Sequence, residues 1–414
     1  MTFDRIDMAQ FSQDLIDLRR DLHRYPESGW TEFRTTARII TELENLGLPV
    51  RWGRQLHVRE KMLGLPDKET LEACWLRAES ECDRHDLLED MRGGYTGCLT
   101  VIEGALPGPT IGIRVDIDCN DVEEADDPEH VPCAQNFRSV HHACMHACGH
   151  DTHMTMLLGA AKVLNENKAG LKGTVKLIFQ TAEETCTGSQ IMLKEGVMEN
   201  PHVDAVFGMH IGTIIDPNIP AGTVIVTPGC CMASSHHFVL RVTGKGCHGS
   251  TPEKGVDPIV VASNIVLALE EIVAREVPST KAAVVTIGRI HGGIAYNAIP
   301  GEVEIEGTTR ALEEEVRQYL GKRIGEIAAG IARSYRAECK YEMIWGAAPV
   351  VNDDEMARLA AGAAVKVLGE DGVITSVPAP NMGGEDFAFY LRERPGAFMF
   401  LSSSNREKHT DGPH

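Results

Sequence analysis

Six consecutive residues read His146-Ala147-Cys148-Gly149-His150-Asp151. A cysteine and a histidine two apart across a glycine can turn both donors onto one metal ion, because glycine lets the backbone fold tightly. Alone, such a pair is more often a buried thiol beside a solvent-facing histidine. The context argues otherwise. Gln180-Thr181-Ala182-Glu183-Glu184 closes one apolar run and Phe207-Gly208-Met209-His210 closes another. Each carries donors to the carboxyl end of a predicted strand, where open α/β sheets build their sites. Adjacent glutamates usually mark a solvated turn. After a buried strand they can divide two tasks, one coordinating a metal and the other taking the proton from a water.

Further candidates lie downstream. His248 sits in the turn Gly244-Lys245-Gly246-Cys247-His248-Gly249, and Arg310 ends the run Gly307-Thr308-Thr309-Arg310. A fixed guanidinium fork is what bidentate capture of a substrate carboxylate requires, and Asn297 is placed to assist it. His141, His142, His153, His236 and His237 are read as bland or supporting, since the ligand capacity is already filled.

Apolar spacing predicts helices over Met8 to Tyr25 and Thr31 to Leu46. Residues from about 52 to 97 are unusually charged, with helical stretches such as Lys68 to Glu79, and read as an inserted helical cap. Strands are expected at Cys98 to Glu103, Thr110 to Val115 and Thr174 to Gln180, with a helix from His153 to Asn167 between the last two. This alternation implies an α/β layered sheet with parallel strands. From His236 the order becomes strand His237 to Thr243, helix Asp257 to Val273, strands Ala283 to His291 and Glu302 to Arg310, helix Glu313 to Ala332 and strand Ala337 to Trp345. That is the ferredoxin-like β-α-β-β-α-β split. A helix from Asp354 to Leu368 and a strand at Ala397 to Leu401 then resume the α/β pattern. The expectation is a catalytic domain of residues 1–235 and 346–414, interrupted by a smaller domain at 236–345.

With 414 residues the chain has room for two or three domains. Forty basic side chains against sixty acidic ones leave a formal charge of −20, which repels nucleic acid and anionic membrane surfaces. No stretch reaches the roughly 18 apolar residues of a spanning helix, and Met1 to Arg20 reads as neither secretory signal nor anchor. Twelve scattered cysteines without a signal point to reduced thiols in a cytoplasm.

The segments Leu22-His-Arg-Tyr-Pro-Glu27, Arg114-Val-Asp116-Ile-Asp118, His146 to Asp151, Glu183-Glu184, Gly208-Met-His210, Gly244 to Gly249, Asn297-Ala-Ile-Pro300, Gly307 to Arg310 and Gly383-Gly-Glu-Asp-Phe387 occur in this order. In this the chain resembles the amidohydrolases of the aminoacylase and carboxypeptidase metallopeptidase family. Its charged insert and the stretch Val115 to His146 look most like the members that cleave p-aminobenzoyl-glutamate. The resemblance implies a zinc-peptidase-like α/β catalytic domain with a ferredoxin-like dimerisation and lid domain. It implies two divalent ions, Mn2+ or Zn2+, with Cys148 bridging them and His150, Glu184 and His210 as ligands. A last ligand histidine is expected at His414 or immediately beyond. Glu183 would be the general base. Asp118 would orient the ligands, with Asp151 a second candidate for that role. His248 would reach the partner subunit's site in a homodimer and stabilise the oxyanion.

The implied reaction is hydrolysis of the amide of an N-acyl or N-aroyl amino acid, with a dipeptidase or general N-acyl-amino-acid deacylase as an alternative. A second, different hydrolase subunit is compatible with the resemblance. An inactive metal-binding regulatory subunit would need neither Glu183 nor His248, and a cysteine-nucleophile hydrolase would survive chelation.

Overall fold

The computed structural model describes residues 7–213, 215–408, 410 and 412. The chain divides into two units, the first comprising residues up to Gly229, Asn352–Pro378 and the chain from Phe389 on, the second Cys230–Val351 and Ala379–Ala388.

The first unit is built on an eight-stranded sheet in the order Val50–Trp52, Cys98–Glu103, Lys172–Gln180, Leu106–Asp116, Ala205–Ile211, Gly396–Leu401, Val224–Ile225, Val373–Ile374. Leu106–Asp116 runs parallel to both Lys172–Gln180 and Ala205–Ile211. The carboxyl ends of these three neighbours therefore meet at one edge, with Asp116 opposite Gln180. From Val175 to Gln180 every residue is buried, as expected of a central strand covered on both faces.

Helices Met8–Arg24, Phe33–Asn45, His150–Glu166 and Asp354–Leu368 belong to this unit. Asp7 caps the first through the amides of Ala9 and Gln10, and Asp353 caps the last through those of Glu355 and Met356. The second helix is different. The residue at its cap position, Glu32, makes no capping bond. Glu27 takes over, accepting from the amides of Arg34 (3.1 Å) and Thr35 (2.8 Å).

The segment expected to be an inserted cap is part of the core. Leu71, Trp75 and Ala78 of helix Lys68–Glu81 and Leu87, Leu88 and Met91 of helix His85–Met91 share one apolar cluster with Leu22, Phe33, Leu157 and Phe179. Val50–Trp52 extends the sheet by pairing antiparallel with Cys98–Glu103. The many charges on the outward faces of these helices hide a narrow apolar stripe.

The second unit carries a four-stranded antiparallel sheet in the order Ala283–Gly292, Glu302–Ala311, Ser234–Thr243, Glu338–Ala347. Helices Pro258–Arg275 and Glu314–Ser334 pack on one face, where Val261, Ile265, Leu320 and Ile324 meet Phe238, Leu240, Val303 and Ile305. In chain order this is β-α-β-β-α-β, the ferredoxin-like arrangement. The unit is wider than residues 236–345, because the edges of its strands and the segment Ala379–Ala388 belong to it. No helix among the described residues is long and apolar enough to cross a membrane.

Candidate metal centre

Gly149 adopts φ +87°, and a Cβ there would lie 2.7 Å from Ile211 Cγ2. It starts the helix His150–Glu166, whose first residue is His150. A helix amino terminus favours negative charge, so its position beside Cys148 suits a thiolate. The Cys148 amide is held by Asn120 Oδ1 at 2.9 Å.

Each imidazole is oriented by the nitrogen facing away from the cluster. His150 Nδ1 donates to the Asp118 carbonyl at 2.8 Å and His210 Nδ1 to the Ile211 carbonyl at 2.6 Å. His210 Nε2 then lies 3.3 Å from Cys148 Sγ. His150 Nε2 lies 3.8 Å from Glu184 Oε1 and 4.0 Å from Glu183 Oε2. Cys148, His150 and His210 form one group of donors within 4.8 Å of one another, and His150, Glu183 and Glu184 form a second. The two groups adjoin at His150, whose Nε2 can ligate one ion, leaving the other donors beside it for a second.

The residues fit such ions on their own chemistry. His150 Nε2 and Glu184 Oε1 are buried without a hydrogen-bond partner, a costly state for polar atoms unless something else satisfies them. Burial pushes the Cys148 thiol up to about 11 and raises the Glu184 carboxyl. Burial would lower His150, but Asp116, Asp118 and Cys148 hold it well above the usual histidine range. Burial and the neighbouring His153 hold His210 well below it. A cation among these donors draws the thiol and carboxyl into their ionised forms. Thiolate, imidazole and carboxylate together suit zinc and also admit manganese.

The turn bearing the glutamates is held from behind. Ala182 has φ +53°. The amides of Glu183 and Glu184 donate to Asp118 Oδ1 (3.1 Å) and Oδ2 (3.0 Å). Both Asp118 oxygens thus serve the backbone of the turn.

Asp116 was given no role by the sequence, and His153, read there as bland or supporting, lies against it. Asp116 is buried, accepting from Arg114 at 2.9 Å and from His153 Nδ1 at 2.6 Å. Burial works against its charge, yet His150, His153 and Arg114 hold its carboxyl well below the usual range. His153 Nε2 accepts from the Ile211 amide at 2.8 Å. His153 is thereby a strut between Asp116 and the strand of His210. The available signals were the spacing Asp116-x-Asp118 at a strand end and His150-x-x-His153 on a helix. Asp151, buried, accepts from His23 at 2.7 Å and pairs with Arg19 at 3.0 Å, away from the donor groups. His141 is held by the Pro26 carbonyl and Glu81, and His142 is exposed beside Glu123.

In the second unit Cys247–His248 pairs with Ala298–Ile299, and the Gly249 amide donates to the Asn297 carbonyl at 2.8 Å. His248 and Asn297 are therefore neighbours. His248 is exposed, with Nδ1 2.7 Å from Ser250 Oγ. Arg310 stands on Glu302–Ala311 and donates to the Thr309 carbonyl at 3.0 Å. His236 packs against Arg317, and His237 faces Glu306. His414 lies outside the described residues.

The chain is similar to known proteins over nearly its whole length. N-acetyl-L-cysteine deacetylase of Bacillus subtilis (strain 168) is 35% identical over 409 residues, covering 99% of this chain and 83% of the relative. One of the subunits of p-aminobenzoyl-glutamate hydrolase from Escherichia coli (strain K12) is 34% identical over 369 residues, 89% of this chain and 82% of that protein. Among solved structures, the Bacillus subtilis YXEP protein, a dinuclear metal binding peptidase from the M20 family, superposes with a TM-score of 0.69 at 32% identity, covering 96% of this chain and 90% of that one. The family model for peptidase family M20/M25/M40 matches residues 112–414. With that match spanning most of the chain and relatives of this identity over almost all of it, the protein belongs to the M20/M25/M40 family of metallopeptidase-type hydrolases.

Proposed function

We propose that this hydrolase cleaves the amide bond of an N-acyl or N-aroyl amino acid, p-aminobenzoyl-glutamate among them, and releases the free amino acid. The observation that carries the reading is the pair of buried, unsatisfied atoms, His150 Nε2 and Glu184 Oε1, within one donor group, beside the group of Cys148 and His210. Cys148, His150, Glu184 and His210 would hold two divalent ions, Mn2+ or Zn2+, with His414 as a further ligand. When bound, such ions polarise the amide carbonyl and lower the pKa of the attacking water.

Glu183 is buried, and its amide is fixed by Asp118. It takes the proton of the water and returns it to the leaving amine. Asp118 keeps both glutamates in place, and Asp116 with His153 keeps the His210 strand in place. Cys148 lies in one donor group with His150 and His210, which favours it as a ligand over Cys148 as the attacking group. The carboxylate-binding roles of Arg310 and Asn297, the oxyanion role of His248 and the homodimer it requires rest on the sequence pattern. The relatives' names support the substrate class, and free thiols at all twelve cysteines are compatible with a cytoplasmic setting.

The test is turnover of p-aminobenzoyl-glutamate beside a panel of N-acetyl amino acids and dipeptides, with the purified chain stripped by chelator and reloaded with Mn2+ or Zn2+ separately. Activity abolished by chelation, restored by metal and confined to acylated amino acids supports the proposal. Activity that survives chelation refutes it, and exclusive turnover of dipeptides moves the protein to the alternative substrate class.

A further inference from the structure

Glu32 is fully buried and occupies the cap position of helix Phe33–Asn45, yet its side chain does not cap that helix. Residues at this position normally spend their side-chain oxygen on the first helical amides. Here Glu27 does so, and Glu32 turns inward. One of its oxygens accepts from the Ala182 amide at 2.8 Å and the Thr181 hydroxyl at 2.6 Å, the other from the Thr96 hydroxyl at 2.5 Å.

With the two bonds to Asp118, three successive amides, those of Ala182, Glu183 and Glu184, end on the side-chain oxygens of two buried acidic residues. Ala182 needs this support, since a non-glycine residue at φ +53° is held against its intrinsic preference. The segment before Glu32 lies against the same turn. A Cβ on Gly29 would sit 3.0 Å from Ala182 Cα and 3.3 Å from Asp118 Oδ2.

We infer that Glu32 is a positioning residue for the catalytic turn, setting where Glu183 and Glu184 stand by holding the amide and φ of Ala182. The inference rests on the reading of Glu183 as base and Glu184 as ligand. Removing the carboxyl group leaves the buried Ala182 amide unsatisfied and the Thr96 and Thr181 hydroxyls with only each other, 2.9 Å apart, and lets Ala182 relax toward negative φ, which displaces the two residues that follow.

The experiment compares Glu32→Ala and Glu32→Gln with wild type by amide hydrogen exchange, by Mn2+ and Zn2+ titration of the stripped chain, and by kcat and KM at saturating metal on the fastest substrate of the panel. In Glu32→Ala, exchange should speed up in the peptide covering residues 181–188 and not across the first unit. Metal affinity should fall about tenfold, and kcat about 10²-fold, the scale of a displacement near 1 Å, with KM little changed. Gln keeps an oxygen for the Ala182 amide and offers an NH2 to the Thr96 hydroxyl, so it should recover most of both losses. It is close to isosteric and tests the idea even where the alanine variant does not fold. Normal kcat and metal affinity in a folded Glu32→Ala, or a Glu32→Gln as impaired as the alanine variant, overturns the inference. If Glu183→Gln itself keeps wild-type kcat, the reading of the base has failed, and the exchange at 181–188 still decides the role of Glu32.

Discussion

Gly149→Ala separates backbone geometry from donor chemistry, because it changes no ligand. The residue sits between Cys148 and His150 at φ +87°, and the added methyl would lie 2.7 Å from Ile211 Cγ2. Holding an L-residue in the left-handed region costs about 1–2 kcal/mol. Forcing a methyl into a packed contact costs about 1–3 kcal/mol more, so the two together predict a loss of about 2–5 kcal/mol in the first unit, read by urea denaturation against wild type. Any relief of the clash moves Cys148 and His150 relative to His210, and metal affinity should fall with it. Adding Ile211→Ala removes the opposing methyl. The double variant should regain the packing share but not the backbone share, on top of the cost of the Ile211 truncation measured alone. A Gly149→Ala chain with unchanged denaturation midpoint and unchanged metal affinity would falsify the claim that this glycine sets the geometry of the donor group.

Cys148→Ala should lower bound metal and abolish turnover; two ions per chain by elemental analysis together with normal kcat would rule out its place in the centre. Glu183→Gln should keep metal while kcat falls about 10²-fold to 10⁴-fold, and Glu184→Gln should lose metal affinity; the opposite pattern exchanges their roles. If His248 serves the partner protomer, His248→Ala and Glu183→Gln should each be nearly inactive, yet mixing them with verified exchange should restore about a quarter of wild-type activity by random pairing, and no recovery refutes the exchange. Acid stability should depend on Glu124. Burial alone would raise its carboxyl, but His23, the Ser139 amide and His130 pull it down to about 2. A depressed carboxylate stabilises the fold above its unfolded pKa of about 4.3, and that stability is lost as pH falls toward 2. Glu124→Gln should flatten this dependence in pH-titrated unfolding, and an unchanged profile would exclude the network as its source.

Where the apolar period was long, the sequence was readable. The strand Cys98–Glu103 and the helix Asp354–Leu368 stand where the pattern places them, and the two helices and four strands of the second unit differ from their expected bounds by a few residues. Val50–Trp52, Val224–Ile225 and Val373–Ile374 are two or three residues long, too short to show any period, and exist because a neighbouring strand offers an edge. The helix expected from His153 starts at His150 because its cap is a glycine in the left-handed region, without the Ser, Thr or Asp that marks most starts.

The same distinction separates the donors from what holds them. Cys148 and His150 could be picked out by their spacing across a glycine, and Glu183, Glu184 and His210 by residue type and their place at strand ends, and the fold gathers their side chains. Glu32 and Asp118 could not be read this way as holders of the turn, because what they bind is backbone. Glu32 meets the Ala182 amide 150 positions away and Asp118 meets those of Glu183 and Glu184 at separations of 65 and 66. A backbone amide has no residue type, so no motif can announce such a bond. Only the parallel alignment of Leu106–Asp116 with Lys172–Gln180 and the inward turn of Glu32 bring the two carboxylates to one place. The centre therefore depends on two kinds of residue, donors that any chain with this chemistry must show and buried carboxylates whose task is defined by the fold. Deleting a carboxyl group of the second kind should act on kcat and metal affinity through the position of the donors, whereas the glutamine variant at Glu32, which keeps an oxygen for the Ala182 amide, should largely spare both.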